Sequence, residues 1–197
     1  MGRALGHVPS LLLVTWCFGA SNAIDRIDKR LMRAELGQAR PWESVSPFVV
    51  ESWLGFWPWV LATGAVSGAL VWWVGGWWYG VRLRWSGAMD LDKRLARITF
   101  VYSSFVVTGP AILLAIGKTV AYPSYAVAYA ADEWFSVGFV LFPFWSIVTS
   151  YIGVRTLFAV VRWKAITWFI VLPAMVYGIV LGVIVALFAL LSGEASS

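Results

Sequence analysis

The chain has 197 residues, 60% of them hydrophobic, 17% aromatic and only 13% charged, with a net charge of +5. Soluble domains are about 45–50% apolar and about 25% charged, so a soluble fold of this length could not hide so much apolar surface, and the composition reads as an integral membrane protein. The basic residues sit between apolar runs rather than along one polar face, which argues against a nucleic-acid partner, and one cysteine, Cys17, with one histidine, His7, excludes a disulfide framework and a Cys/His metal cluster within the chain.

The first apolar segment, 8–24, is short for a bilayer span. Arg3 precedes it, but charged residues follow without an A-x-A site before them, so it reads as a retained span rather than a cleaved leader; a re-entrant or interfacial helix is the alternative. The stretch 25–36, DRIDKRLMRAEL, continues as an amphipathic helix at the membrane surface. Ile24, Ile27, Leu31 and Ala34 share one face, with Asp25, Asp28, Lys29, Arg30 and Arg33 around the other. Asp25 and Lys29 have the spacing of an i,i+4 pair, worth about 0.3–0.5 kcal/mol. The polar face reads as solvated, with a docking site for a partner as the sharper alternative. The proline-containing ARPWESVSP that follows reads as loop.

The second span covers 53–79 and ends in WWVGGWWYG. At about 100° per residue its four tryptophans spread around the helix instead of converging into a cage. Trp53, Trp57 and Trp59 lie about 28 Å before them along the axis, so the span carries aromatic belts at both ends. Gly64, Gly68 and Gly75 fall within about 40° of one another, a small-residue seam for close helix packing. Gly76 lies off that seam and has no evident role.

The third span is 98–117, the fourth 135–161 and the fifth 165–191. The fifth carries Ala174, Gly178, Gly182 and Ala186, every fourth residue, as a second packing seam. With the N-terminus in the cytoplasm, nine basic residues fall on the inner side and six on the outer, against two acids inside and eight outside. The Lys/Arg excess supports that orientation. The fold expected is therefore all-α: one polytopic helical bundle of about five transmembrane helices.

Pro110, Pro143 and Pro173 fall inside spans and predict kinks, either static or acting as hinges. Tyr102, Ser103, Ser104 and Thr108 mark a candidate polar groove, although such groups more often join helices to one another. Ionisable residues lie at span ends, including Arg155, which can snorkel; an ion-coupled pump or voltage sensor is disfavoured. HExxH, GxSxG and P-loop patterns are absent, and no cofactor or metal site is expected.

Three stretches carry a family resemblance. LLLVTWCFGASNAIDRIDKR (11–30), TGAVSGALVWWVGGWWYGVRLRWSGA (63–88) and SYIGVRTLFAVVRWKAITWFIVLP (150–173) are similar to the first span, the glycine-rich second span with its basic turn, and the fourth-to-fifth turn of the Yip family of Ypt/Rab-interacting membrane proteins in its bacterial form. The resemblance covers about 11–191. It implies five spans, an inside N-terminus, residence in a bacterial cytoplasmic (inner) membrane, and a non-enzymatic scaffold or adaptor role. Partners would be membrane lipids and copies of itself or other membrane proteins. A lipid- or small-solute-handling protein and an accessory subunit of a larger membrane complex are the alternatives.

Overall fold

The computed structural model describes residues 8–37, 45–131 and 141–194, so Arg3, His7, part of the first connection and residues 132–140, which include the start of the expected fourth span at 135–140, lie outside the described residues. Helix α1, Val8–Glu35, is one uninterrupted rod of 28 residues, so the first apolar segment and the amphipathic stretch are a single helix. It stops at Gly37, whose φ of +65° is a left-handed conformation that only glycine adopts without strain. The amide of Gly37 bonds the Ala34 carbonyl at 3.1 Å, closing the last turn.

After one turn, α2 (Pro47–Val50), Ser52 caps the next helix by accepting from the Leu54 amide at 3.2 Å. Helix α3 (Trp53–Leu70) runs through a π turn, Val71–Gly75, into α4 (Gly76–Trp85), forming a continuous rod of 33 residues. Helix α5, Lys93–Ala121, is capped by Asp92, which accepts from the amides of Arg94 and Leu95. A short α6 (Tyr125–Ala130) precedes α7 (Phe142–Leu157). The chain ends in α8 (Arg162–Ile166), a second π turn (Thr167–Val171) and α9 (Leu172–Glu194).

The described residues are all-helical, without strands. Three helices are long and apolar enough to cross a membrane: Trp53–Trp85, Lys93–Ala121 and Arg162–Val183. The expected fourth span ends early. Phe158–Val161 are not helical, because the Val161 amide turns away to bond the Ser86 carbonyl at 2.9 Å. Pro143 lies at the start of α7, where its missing N–H costs nothing, and so is not an internal kink. Pro58 and Pro110 are inside helices.

Helix α5 stands at the centre, touching α1, α4, α6 and α7. One apolar cluster gathers Ile27, Phe56, Val60, Ile112 and Tyr125 at the end where α3 begins. A second gathers Tyr79, Leu83, Val154, Ala165 and Phe169 at the other end. Between them α1 crosses α3 with backbone almost on backbone. A Cβ added to Gly19 would lie 1.9 Å from the Gly64 carbonyl oxygen and 2.4 Å from the Gly68 nitrogen. A Cβ on Gly64 would lie 3.0 Å from Ala20 backbone, and one on Gly68 2.8 Å from the Thr15 carbonyl oxygen.

Because only backbone can yield there, Gly19→Ala should destabilise the protein by about 1–3 kcal/mol or more. Gly117, with nothing within 4 Å, is the control: Gly117→Ala should stabilise by up to about 1 kcal/mol through helix propensity. Thermal unfolding of both variants in one detergent measures the two opposite shifts.

Candidate functional site

The seam anticipated in the second span divides between two partners. Gly64 and Gly68 meet α1, whereas a Cβ on Gly75 would lie 2.5 Å from the Phe100 ring of α5. The π turn explains the division, since its one extra residue offsets the helical phase by about 100° and turns Gly75 off the face of Gly64 and Gly68. Gly76 also has a role: a Cβ there would lie 2.3 Å from Cγ of Arg97, so the absent side chain makes room for the arginine stem.

In the last helix Ala174 is half-buried, while Gly178, Gly182 and Ala186 are exposed, and Gly178 and Gly182 have nothing within 4 Å. Only 6% of the apolar stretch of Arg162–Val183 is buried. Its seam finds no partner among the described residues of its own chain.

The candidate groove residues fall on different sides of α5. The Tyr102 hydroxyl pairs with Ser10 Oγ of α1 at 2.9 Å. Ser103 and Ser104 both donate to the Phe100 carbonyl, at 2.9 Å each, and so serve their own helix. Ser103 is buried, and its carbonyl accepts from Ser146 Oγ of α7 at 2.9 Å. Thr108 is buried with no hydrogen-bond partner for Oγ1 among the described residues.

Two polar junctions that the sequence did not announce hold the helices in place. The first is at Arg82, beyond the expected end of the second span but inside α4, half-buried. Its Nε and Nη2 both donate to the Trp168 carbonyl, at 3.0 and 2.6 Å. Its guanidinium also lies 4.2 Å from the centre of the Phe169 ring. The carbonyl needs a donor because of Pro173. In the π turn the Leu172 amide bonds the Thr167 carbonyl, so the next residue in that register would serve Trp168. That residue is the proline, which has no N–H. Beside Arg82, the buried Tyr79 hydroxyl pairs with Ser150 Oγ of α7 at 3.0 Å. The available signal was Pro173 itself, which strands a carbonyl, together with an arginine at the end of a neighbouring span.

The second junction joins α1 to α6. Asp28, assigned to the solvated face, is half-buried and accepts a short hydrogen bond from the Tyr125 hydroxyl. Tyr125 stacks on Phe56 at 4.3 Å, and Trp53 meets both rings edge-on. Trp53 Nε1 donates to the Tyr122 carbonyl at 2.8 Å and Trp57 Nε1 to Thr119 Oγ1 at 3.1 Å, so these two tryptophans fasten the end of α5 and its exit. Lys118 Nζ donates to the Ala128 carbonyl at 3.3 Å. Burial pushes the Asp28 carboxyl above its ordinary value, against the Tyr125 hydrogen bond and the Lys118 charge, which pull it down. Burial, then the charge of Asp28, pushes the Tyr125 phenol up. On the exposed side of α1, Lys29 bonds Asp25 at 2.6 Å, the expected i,i+4 pair.

Comparison with protein-family models, curated proteins and solved structures returns no match.

Two outcomes follow from the junctions. Arg82→Met strands the Trp168 carbonyl and should cost about 1.5–3 kcal/mol. In a Pro173→Ala background, which restores a backbone donor, the same substitution should cost less, and a double-mutant cycle of unfolding free energies reads the coupling. At Asp28 the folded carboxyl holds its proton more tightly than the unfolded one. Its contribution to stability is therefore fully present below the unfolded value and is lost as pH rises through the folded value. Asp28→Asn, which keeps an acceptor for Tyr125, should unfold at a higher temperature than the parent at neutral pH. The difference should vanish as pH falls into the ordinary carboxylate range.

Proposed function

We propose that the chain is a non-enzymatic scaffold or adaptor in a bacterial cytoplasmic membrane. It would have five spans and a cytoplasmic N-terminus, and would act like the Yip-family membrane proteins its sequence resembles. It would associate with a second membrane helix, from another copy or another membrane protein, through the last span. The observation that carries this reading is the contrast between the two small-residue seams. The glycines of α3 are consumed by α1, at backbone contact. Those of α9 keep the same four-residue spacing, yet open onto empty space beside exposed Met175, Ile179 and Val183. In lipid, apolar side chains give helices little reason to associate, and close backbone approach supplies it. A smooth face of this kind suits a helix that the described residues do not supply.

A groove of about 440 Å³ between α1 and α3, lined by Leu11, Thr15, Trp16, Gly68 and Trp72, supports a second reading as a lipid-handling protein. Its size suits an acyl chain. Reconstituted protein should then move labelled lipid between leaflets faster than empty vesicles do.

The main reading is tested by oligomeric state in mild detergent. The parent should be multimeric, or should co-purify with a partner helix protein. Gly178→Leu with Gly182→Leu should weaken that association by about 1–3 kcal/mol while leaving monomer stability unchanged. A parent that is monomeric and partnerless, or an association indifferent to both substitutions, rejects it.

A further inference from the structure

We propose that a basic pocket between α4 and α5 binds the phosphate group of an anionic phospholipid. The pocket has a volume of about 140 Å³ and is lined by Arg84, Lys93 and Arg97, with Gly76 and Gly80 beneath and Trp77 beside it. Three cations thus share one small concavity. None of them forms an ion pair with a described residue, and the salt bridge found among the described residues, Lys29–Asp25, is at the opposite end of the bundle. The acids nearest in sequence are Asp90 and Asp92, and Asp92 Oδ1 is occupied by the amides of Arg94 and Leu95. Those amides are therefore already capped, and the donors left for an anion are the three side chains.

The pocket is held ready. Arg97 lies with its guanidinium carbon 4.4 Å from the Trp73 ring centre and 6.0 Å from that of Trp72, and its stem fills the gap left at Gly76. A Cβ on Gly80 would lie 3.4 Å from Leu91, so at Gly80 the pocket wall is bare backbone beside that leucine. A guanidinium fixed on aromatic faces loses little freedom when it takes an anion.

Size and setting favour a lipid. The pocket is well below the roughly 300–1,000 Å³ of sites that enclose whole small molecules, so it suits a single charged group whose remainder stays outside. Exposed Leu70, Trp73, Val74 and Trp77 run from it along the rod and offer an apolar track for acyl chains. Basic pockets between spans at the Lys/Arg-rich membrane face are where anionic headgroups bind. The inference rests on the membrane-spanning reading, and alkaline extraction of the full chain from membranes tests that reading separately.

The experiment compares the full chain in nanodiscs of phosphatidylcholine alone and of phosphatidylcholine mixed with phosphatidylglycerol, scoring retained lipid by native mass spectrometry and the unfolding midpoint. Phosphatidylglycerol should be retained preferentially and should raise the midpoint. Arg84→Gln, Lys93→Gln and Arg97→Gln should each weaken retention about fivefold. Arg97→Lys should restore part of it, and its folding can be checked by circular dichroism. Arg155→Gln with Arg162→Gln, which removes charge elsewhere at the same end, should leave retention unchanged. Loss of retention in that control overturns the pocket in favour of diffuse attraction. Inorganic phosphate raising the midpoint as much as phosphatidylglycerol would mean an ion site and not a lipid site. No preference for phosphatidylglycerol in a chain that resists alkaline extraction overturns the proposal while leaving the membrane reading intact.

Discussion

One extra residue in the turn Val71–Gly75 decides which helices touch which. A straight α-helix from Trp53 to Trp85 would keep Gly64, Gly68 and Gly75 on one face, and a single neighbour would cover all three. The π turn breaks that phase. Below it, α3 gives its glycine face to α1; above it, α4 turns its small residues to α5, where Phe100 and Arg97 fill them. The rod can then join both apolar clusters, with Phe56 and Val60 in one and Tyr79 and Leu83 in the other. An unbroken α-helix of the same sequence would serve one of the two cores and leave the other without its largest buried side chains.

The same rod also settles backbone groups that other helices cannot settle for themselves. Helices leave carbonyls unpaired at their ends and wherever a proline removes the next donor. Trp53 donates to the carbonyl of Tyr122, just past the end of α5, and Arg82 donates twice to the carbonyl stranded by Pro173. A part-buried carbonyl left without a donor costs stability, so the side chains that reach these two work as fasteners. That is why an arginine tolerates half-burial among Tyr79, Phe169 and Trp168: its charge is matched to a carbonyl dipole and to aromatic faces.

What could be read beforehand was whatever depends on composition and regular spacing. The long apolar runs placed the helices Trp53–Trp85 and Lys93–Ala121 to within several residues, and four-residue spacing identified Asp25–Lys29. What could not be read depends on phase and on distant partners. A π turn has no strong residue signature, so the displacement of Gly75 and the use of Gly76 were hidden. Asp28 looked solvated because its own helix offers no reason to bury it; the reason, Tyr125, lies 97 residues away. Gly19 carries no signal in its own segment, because its importance comes from Gly64 and Gly68 across the interface. The four polar residues of α5 looked like one patch in sequence, although successive residues of a helix point about 100° apart.

The bundle is unevenly finished, and the unevenness has a direction. Helices α1 to α7 are tied to one another by backbone contact at Gly19, by paired hydroxyls at Tyr79 and Ser150, and by two aromatic clusters. The last helix is tied mainly at its start, through Phe169, Ala165 and the Arg82 bond, with a ring contact further on between Phe144 of α7 and Tyr177 at 6.4 Å. Between Ala174 and Val183 its side chains mostly face outward. The proline and the π turn thus mark a change: the carbonyls of Tyr122 and Trp168 are matched by Trp53 and Arg82, whereas beyond Pro173 a smooth small-residue face is left unmatched among the described residues. Arg82, two residues before Arg84 of the basic pocket, fixes the origin of that face. Whatever shifts the end of α4 is therefore transmitted to the start of the last helix, which beyond Pro173 is held more lightly, by the Phe144–Tyr177 ring contact.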